Sequence, residues 1–450
     1  MSRIRIVMTI IVVIFVTLLT GCTGKEPNEI AYVVALGIDS TEDDNYKITI
    51  QYANTTQISG GASESGGKAG SEIVDNVTIE APNIYAGVDL ANNIVSKSFS
   101  MSHAKLIVFS KEIAEKGVKD LIETLVRSEE IRPDVFIAVA NTTANDYLTS
   151  VNPEMEVNPA QYYQLIYQKN QLVGIPDGQL REFFTGLYTD NYDSILPVAG
   201  VIEGSGGNSQ NDDKGQSKDS QNEDSEGSSE SLDSIESKNS DEKDENEKEK
   251  DAEKNTSKYE YDIKNYVGGE TAIEKKNKAE AIGAAVFEKD KMVGELGEVE
   301  TEICKMLKGD YSYSYLTYYN NDTPDIPITV KTTQQKKPKY KIDTDKKTVD
   351  IELYIESDLY SLPSDYNVEN KIEEFERDVA NYTSSACTEF INNFTKKYNS
   401  DILKLNEKVK YKFLTNNQYN WFKKNVGWSE YKFSVCTNFK VRRTGLIVRE

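Results

Sequence analysis

The chain has 450 residues and a formal net charge of −22 at pH 7, with 74 acidic and 52 basic side chains. This charge argues against nucleic acid as a partner, because a phosphate backbone is held by clustered lysine and arginine. The length is enough for two or three domains with cores of their own. With one histidine and four cysteines, the chain is poor in the residues that most catalytic and metal sites use.

The N-terminus has the form of a lipoprotein signal peptide. Arg3 and Arg5 form a short basic region, and an almost unbroken apolar run follows from 6 to 19. The run is too short to span a hydrocarbon core of about 30 Å comfortably. It leads through Leu-Thr-Gly to Cys22, whose thiol is the nucleophile that takes a diacylglycerol. We therefore predict removal of residues 1–21 and lipidation of Cys22, with an uncleaved helical anchor as the alternative.

The first expected strands form a hairpin. Apolar and polar residues alternate from Tyr46 to Tyr52, which predicts a half-buried strand. Its expected partner is 30–36. The residues between them, 37–45, begin with Gly-Ile-Asp and are expected to form the turn.

A β-α-β unit is expected next. Leu106–Phe109 is typical of a buried strand, and Ser110 is expected to cap the N-terminus of a single helix. After Pro133, the segment Val135–Ala140 is expected to be a second buried strand. The apolar face of the helix comprises Ile113, Ala114, Val118, Leu121, Ile122 and Leu125. Residues 22–203 are therefore predicted to form an N-terminal α+β domain.

Residues 204–258 are rich in Ser, Gly, Asp, Glu, Asn and Lys and cannot build a core. Between Asn211 and Lys254 there are 17 acidic and 7 basic residues, a net charge of −10 (7 − 17). A self-repelling segment of this kind is typical of a solvated tether. The alternative is a cation-binding or regulatory arm, which no spacing of ligands supports. A shorter glycine- and serine-rich segment, 59–71, is interpreted as a loop.

Residues 259–450 are predicted to form a C-terminal α+β region, with 310–325 as a candidate division between a small middle domain and a C-terminal domain. Two hairpins are expected there. They pair 281–287 with 292–293 and 339–342 with 349–355.

A long amphipathic helix is expected between Ile372 and Phe394, where apolar residues are spaced three and four apart. Strands that return as hairpins are expected near 409–413, 433–435 and 439–441. The sequence thus predicts an α+β ectodomain of mixed and antiparallel sheets with packed helices, in which the long helix covers the C-terminal sheet.

The residue types give little support to catalysis. Ser-His-Asp, Cys-His and multi-histidine sites would all need His103, the one histidine, and no G-x-S-x-G motif accompanies it. His103 precedes an expected strand, where a structural hydrogen-bonding role is the ordinary one. Glu298, Glu300 and Glu302 are interpreted as a solvated face rather than as glycosidase carboxylates. We predict no enzymatic activity, no cofactor and no metal site.

Seven lysines lie between Lys331 and Lys347 on an expected hairpin. Each lysine near an anionic surface contributes about 1 kcal/mol, so this segment is a candidate for orienting the protein on a membrane. The alternative is a set of solvated edge-strand lysines that block aggregation. Trp421 and Trp428 are interpreted as core or loop anchors.

The three cysteines other than Cys22 lack the paired short spacing of a zinc or redox motif. Cys304, Cys387 and Cys436 are interpreted as free thiols buried in the core, with at most one disulfide between them.

The whole pattern resembles the Ger(x)C family of spore germination lipoproteins, the C subunits of GerA-type nutrient germinant receptors. The resemblance runs over nearly the whole mature chain and rests on short segments in a fixed order behind the Cys22 signal. They are Asn28-Glu29-Ile30, 33–39 (VVALGID), 102–109 (SHAKLIVF), Ile113-Ala114, Gly117, Arg127, Arg132, Leu196-Pro197, 282–287 (IGAAVF), 291–294 (KMVG), Asp401-Ile402-Leu403 and 443–447 (RTGLI).

The resemblance implies a three-domain α+β protein without catalytic residues. It implies a subunit on the outer face of the spore inner membrane, held there by its lipid, that works beside a polytopic membrane subunit and a transporter-like subunit when nutrients start germination. Two departures are notable. The tryptophan often found soon after the lipidated cysteine is absent, and the insertion at 204–258 suggests domains that separate more than is usual.

The alternative hypothesis is that the protein is a cell-surface solute-binding lipoprotein or hydrolase that uses an aromatic cleft or a carboxylate pair. Binding proteins of that class usually repeat β-α-β units throughout the chain. Here such units are expected only before residue 204. The sequence therefore favours the receptor subunit.

Overall fold

A computed structural model describes residues 3–9, 29–43, 45–53, 74–153, 156, 158–168, 174–189, 191–202, 265–271, 277–320, 323–361, 368–398 and 400–444. Residues 3–9 are helical and exposed. Cys22, the loop expected at 59–71 and the acidic segment 204–258 lie outside the described residues.

Nine strands of the described chain form the first sheet. They are β1 (Ile30–Ser40), β2 (Tyr46–Ala53), β3 (Val74–Ala81), β4 (Ser98–Ser100), β5 (Leu106–Ser110), β6 (Phe136–Ala140), β7 (Ile195–Val201), β8 (Ala279–Glu288) and β9 (Lys291–Leu296). The order is β3-β2-β1-β5-β6-β7-β8-β9, and β4 pairs with the start of β1. The central strands β1, β5, β6 and β7 are parallel, whereas β2, β3, β8 and β9 add antiparallel pairs at the two sides.

Helices cover both faces of this sheet. They are α1 (Ile84–Asn92), α2 (Lys111–Lys116), α3 (Lys119–Val126), α4 (Ala144–Ser150), α5 (Pro159–Tyr167) and α6 (Leu180–Thr189). In β5, Ile107 and Phe109 face the core beneath α1, α2, α3 and α6, whereas Leu106 and Val108 face the core beneath α4 and α5. Successive side chains of a strand point to opposite faces of the sheet. Because helices bury both faces here, β5 is apolar at every one of these positions.

The hairpin of β1 and β2 confirms the expected pairing, but the predicted turn was too long. Gly37, Ile38 and Asp39 continue β1, and the chain turns only after Ser40. The buried Asp39 carboxylate accepts hydrogen bonds from the backbone N–H groups of Ala144 (2.6 Å) and Asn145 (3.0 Å) at the start of α4. The Gly-Ile-Asp segment is therefore a strand end that caps a helix.

The β-α-β unit is confirmed, with β5 and β6 parallel and the Ser110 side chain accepting the N–H of Ile113 at 3.4 Å. The single helix expected between them was wrong, because the chain forms α2 and α3 with a break at Gly117. This residue has φ = 124°, a conformation that a residue with a Cβ rarely adopts. The predicted apolar residues are nevertheless all buried.

The first sheet joins the strands that precede and follow the acidic segment in the sequence. β7 and β8 flank it and pair antiparallel, and the N–H of Ile202 donates to the carbonyl of Lys278 at 2.8 Å. The expectation that the segment lets the regions on its two sides separate was wrong, since the same sheet takes strands from both. The division into domains stays a prediction.

The second sheet begins at Tyr313, within the candidate boundary 310–325. Its strands are β10 (Tyr313–Asn320), β11 (Thr323–Gln334), β12 (Lys339–Asp343), β13 (Thr348–Ser361) and β14 (Lys432–Arg443), and the accompanying helices are α7 (Glu298–Lys308), α8 (Val368–Lys397), α9 (Leu405–Val409) and α10 (Asn416–Asn425). Both expected hairpins, β8 with β9 and β12 with β13, are confirmed. The long helix α8 packs against β14, as expected of the α+β class.

Two expectations for the C-terminal strands were wrong. Residues 409–413 end α9 and continue as a 3₁₀ turn, so the alternation there was not a strand. The segments at 433–435 and 439–441 belong to one continuous strand, β14, which runs parallel to β13 rather than as a hairpin. A parallel neighbour needs a long crossover, and α8 is the longest element in it.

Helix α8 also closes the outer edge of β14 with polar side chains. The N–H groups of Phe433, Val435 and Thr437 donate to Asn392 (3.2 Å), Thr388 (3.0 Å) and Ser384 (2.9 Å). Four helical residues rise about 6 Å and two strand residues about 6.6 Å, so a side chain every fourth position meets a backbone N–H every second position. Because the two spacings agree, side chains of α8 accept the outward N–H groups of β14 at Phe433, Val435 and Thr437.

We predict that Thr388→Val destabilises the protein by about 1–3 kcal/mol, because it leaves the Val435 N–H without its acceptor while keeping the side-chain shape. The measurement is the free energy of unfolding in urea. The matched control is Ser385→Ala at an exposed position of the same helix, for which we expect a change within about 0.5 kcal/mol. Equal losses in both variants would contradict the role of Thr388.

Candidate functional site

His103 is exposed at the end of a short 3₁₀ turn beside the start of β1. Its Nδ1 lies 3.0 Å from the Ser102 hydroxyl, and its ring meets Tyr32 edge-on at 4.7 Å between centroids. These contacts hold the ring against the surface of the protein. Within the described residues, no group of three or more His, Cys, Asp or Glu side chains is placed to hold a metal ion.

The other residues singled out in the sequence are dispersed. Trp428 is buried (8% exposed), as expected of a core anchor, whereas Trp421 is 68% exposed on α10. Of the seven lysines at 331–347, three lie over tyrosine rings of the second sheet. Cys304 and Cys387 are buried free thiols, but Cys436 is exposed because it points away from α8 on β14.

The carboxylates of α7 do not form one solvated face. Glu300 accepts the backbone N–H of Gly297 at 3.1 Å and so closes the first turn of the helix. Glu302 is half-buried and accepts the Tyr311 hydroxyl at 3.3 Å. Burial raises the pKa of Glu302 to about 7. The solvated interpretation was therefore wrong for Glu302.

The most connected polar arrangement lies where the first sheet meets α9. We call it the polar joint and define it by Glu182, Asn191, Asp193, Asp401 and Lys404. Asp193 lies two residues before β7, and its carboxylate accepts the N–H of Asp401 and the N–H of Lys289, both at 2.8 Å. The Asp193 N–H donates to the Asp401 carbonyl at 3.2 Å. Two chain segments 208 residues apart in sequence are thus tied through backbone groups.

The Asp401 side chain caps α9. Its two carboxylate oxygens accept the N–H groups of Leu405 and Asn406, each at 2.8 Å. Burial raises the pKa of Asp401 to about 7; the two backbone hydrogen bonds lower it, and the neighbouring charge of Asp193 raises it further. This cap fixes the start of α9, whose last residue, Val409, begins the segment that the sequence had suggested as a strand.

Lys404 completes the joint on its outer side. Its ammonium group lies 2.6 Å from a Glu182 carboxylate oxygen and 4.1 Å from the centre of the Tyr192 ring. Lys404 is held with φ = 57°, in the left-handed region, which turns the chain into α9. The ion pair is partly exposed, so its contribution to stability is modest.

Helix α10 is held to the same place through Asn191. The Asn191 side-chain oxygen accepts the Tyr419 hydroxyl and the Lys423 ammonium group, each at 3.1 Å. A cleft of about 490 Å³ opens beside these contacts, between Asp193, Lys289, Asn420, Lys424 and Trp428.

A second cleft, of about 460 Å³, lies between α6 and α7. The buried Lys305 lines it and donates to the carbonyl of Ile175 at 2.9 Å. Burial lowers the pKa of Lys305 to about 8. This ammonium group binds backbone, as do the carboxylates of Asp193 and Asp401, so these groups hold elements of the fold together.

Sequence reasoning missed the polar joint. Asp401 was quoted only for the resemblance, and Asp193 and Glu182 carried no motif. Each residue acts through a backbone group or a side chain far away in sequence, which no local pattern reveals.

None of the described helices is long and apolar enough to cross a membrane.

We predict that the stability of the protein falls as the pH rises from about 4 to about 7. The folded state holds the Asp401 proton up to a pKa of about 7, whereas the unfolded state releases it near 3.8, so the stabilising protonation is complete only below this window and is lost across it. Glu302 adds to the same slope.

Asp401→Asn should flatten this dependence, because it removes the titrating group. The measurement is the free energy of unfolding at several pH values between 4 and 7. Asp89→Asn, at an exposed position of α1, is the control and should keep the slope of the unaltered chain. An unchanged slope in Asp401→Asn would show that Asp401 ionises in the folded state at its ordinary pKa.

Two family models match this chain, one on each side of the acidic segment. Residues 24–201 match the spore germination protein N-terminal domain, and residues 282–445 match the spore germination B3/GerAC-like C-terminal region.

Curated relatives align over parts of the chain. Spore germination protein KC of Bacillus subtilis (strain 168) is 27% identical over 176 residues, which cover 36% of this chain and 43% of the relative. Spore germination protein B3 of the same organism is 26% identical over 148 residues, which cover 31% and 36%. The aligned stretches thus span less than half of the length of these relatives.

Among solved structures, the crystal structure of the GerBC protein matches with a TM-score of 0.48 and 14% sequence identity. The match covers 90% of this chain and 96% of that chain.

Proposed function

This chain belongs to the Ger(x)C family of spore germination proteins, and on that premise we propose that it is the lipid-anchored, non-catalytic C subunit of a nutrient germinant receptor. The observation that carries the proposal is the pair of family matches, which together take in both halves of the fold behind the lipoprotein signal that ends at Cys22. A role in spore germination follows from the family. The receptor role, the anchor and the lack of catalysis are the proposal.

The proposed place of the protein is the outer face of the spore inner membrane. Acyl chains on Cys22 would hold it there, since two or three chains anchor a protein stably. Its proposed partners are a polytopic membrane subunit and a transporter-like subunit of the same receptor. The names of the curated relatives refer to spore germination, which supports a role in that process.

The proposal of a non-catalytic role is supported by the way the buried ionisable groups are used. Asp193 and Asp401 accept backbone N–H groups, and Lys305 donates to a backbone carbonyl. Ionisable groups that bind the backbone make the fold rigid. We therefore propose that the protein acts through contacts of its surface rather than through catalysis.

The test is Cys22→Ala in the sporulating organism. We expect the protein to be lost from the spore inner membrane and germination in response to nutrients to slow or fail, because the acyl chains have no other attachment point. Cys436→Ala, at an exposed cysteine of the folded part, is the matched control and should leave both unchanged.

The readouts are the amount of protein in the membrane fraction and the loss of optical density of spores given nutrients. Full membrane retention together with normal germination in Cys22→Ala spores would overturn the anchored-subunit proposal.

A further inference from the structure

The segment after α9 combines lysines with exposed apolar side chains in an acidic protein. Residues 408–424 contain five lysines and no acidic residue, in a chain of net charge −22. Three large apolar side chains of this segment are exposed, Tyr411 at 79%, Leu414 at 94% and Trp421 at 68%. We define the lysine–tryptophan surface as Lys410, Tyr411, Leu414, Trp421 and Lys424, all of which are exposed.

The surface is one compact feature. Phe413 packs its ring against Phe422 at 4.9 Å and against Tyr419 at 5.9 Å, both on α10. These ring contacts hold the segment around Phe413 against α10. The lysine–tryptophan surface therefore combines exposed apolar side chains with lysines on one part of the protein surface.

The topology places this surface at the end of the first sheet where β1 begins. The parallel strands β1, β5, β6 and β7 all begin at one end. Asn191 lies just before β7 at that end, and it binds Tyr419 and Lys423 of α10. The lateral step from β1 to β7 is three strand spacings, or about 14 Å.

Among the strands, β1 begins nearest in sequence to the proposed lipid on Cys22. Cys22 precedes Ile30 by eight residues, whose fully extended reach is about 28 Å. The end of the sheet that carries Ile30 must therefore stay within that distance of the bilayer. Ile94, a further exposed apolar residue (68%), lies four residues before Ser98. Ser98 pairs with Ile30, so Ile94 lies near this end of the sheet.

We propose that the lysine–tryptophan surface docks on the anionic phospholipid of the bilayer that holds the lipid on Cys22. The proposal rests on the proposed anchor and adds a second, protein-made membrane contact to it. Lysine is attracted to anionic headgroups, and tryptophan and tyrosine are enriched where headgroups meet acyl chains. One acyl signal plus a basic patch is a general way to stabilise membrane attachment, and docking would fix the orientation of the ectodomain.

The experiment uses the full lipidated chain on vesicles of phosphatidylglycerol and phosphatidylcholine in equal parts, compared with vesicles of phosphatidylcholine alone. The chain has two tryptophans, so Trp428→Phe leaves Trp421 as the sole emitter. We expect Trp421 emission to move to shorter wavelength on the anionic vesicles and to be quenched there by brominated lipid, with little change on the neutral ones. If Trp428→Phe does not fold, the difference in quenching between the unaltered chain and Trp421→Phe gives the same readout.

The charge arm of the test is Lys410→Glu with Lys424→Glu. Each lysine removed should lower the ratio of docked to undocked chain about fivefold. The matched control is Lys47→Glu with Lys278→Glu, two exposed lysines at the opposite end of the first sheet, which should dock like the unaltered chain.

Flotation of the chain with the vesicles reports on the lipid anchor separately. Floating chains without a Trp421 shift on anionic vesicles would overturn the docking proposal and leave the anchor intact. An equal loss in the Lys47 and Lys278 control would also overturn it. Chains that float with neither vesicle would contradict the anchor, and the docking proposal would fall with it.

Discussion

The antiparallel pairing of β7 with β8 is the contact on which the architecture depends. It joins residues on the two sides of a long acidic segment into one sheet, so β8 and β9 complete a sheet that the first 200 residues begin. A third core then packs Ile195 of β7 and Val286 of β8 with Phe390 of α8 and Phe433 of β14. The N-terminal and C-terminal parts are therefore joined by sheet, core and polar joint together.

This arrangement has a mechanical consequence. Because one sheet takes strands from both halves, a force or partner that acts on one half is transmitted to the other. The polar joint reinforces this connection at the end of the sheet where β1 begins. An anchor at that end and a membrane-docked α10 would set one orientation for the whole ectodomain.

Local patterns in the sequence predicted most of the elements, because alternation and three-four spacing reflect which side chains are buried. Leu106–Phe109, the β12–β13 hairpin and the long helix α8 were predicted in this way. The misses share a cause, because they depend on backbone conformation and hydrogen bonds rather than on which side chains are buried. Gly117 breaks a helix through its positive φ, the Asp401 side chain caps the helix that runs into the segment expected as a strand, and β14 pairs parallel with β13. The contact of Asp193 with Asp401 joins segments far apart in the sequence.

The most direct measurement of the central claim is hydrogen–deuterium exchange of the full chain followed by mass spectrometry. If the parts on the two sides of the acidic segment form one cooperative unit, the amides of β7, β8 and α9 exchange together at the rate of global unfolding. Exchange of α9, α10 and the second sheet well before the first sheet would contradict the account, because it would show that the C-terminal part opens on its own.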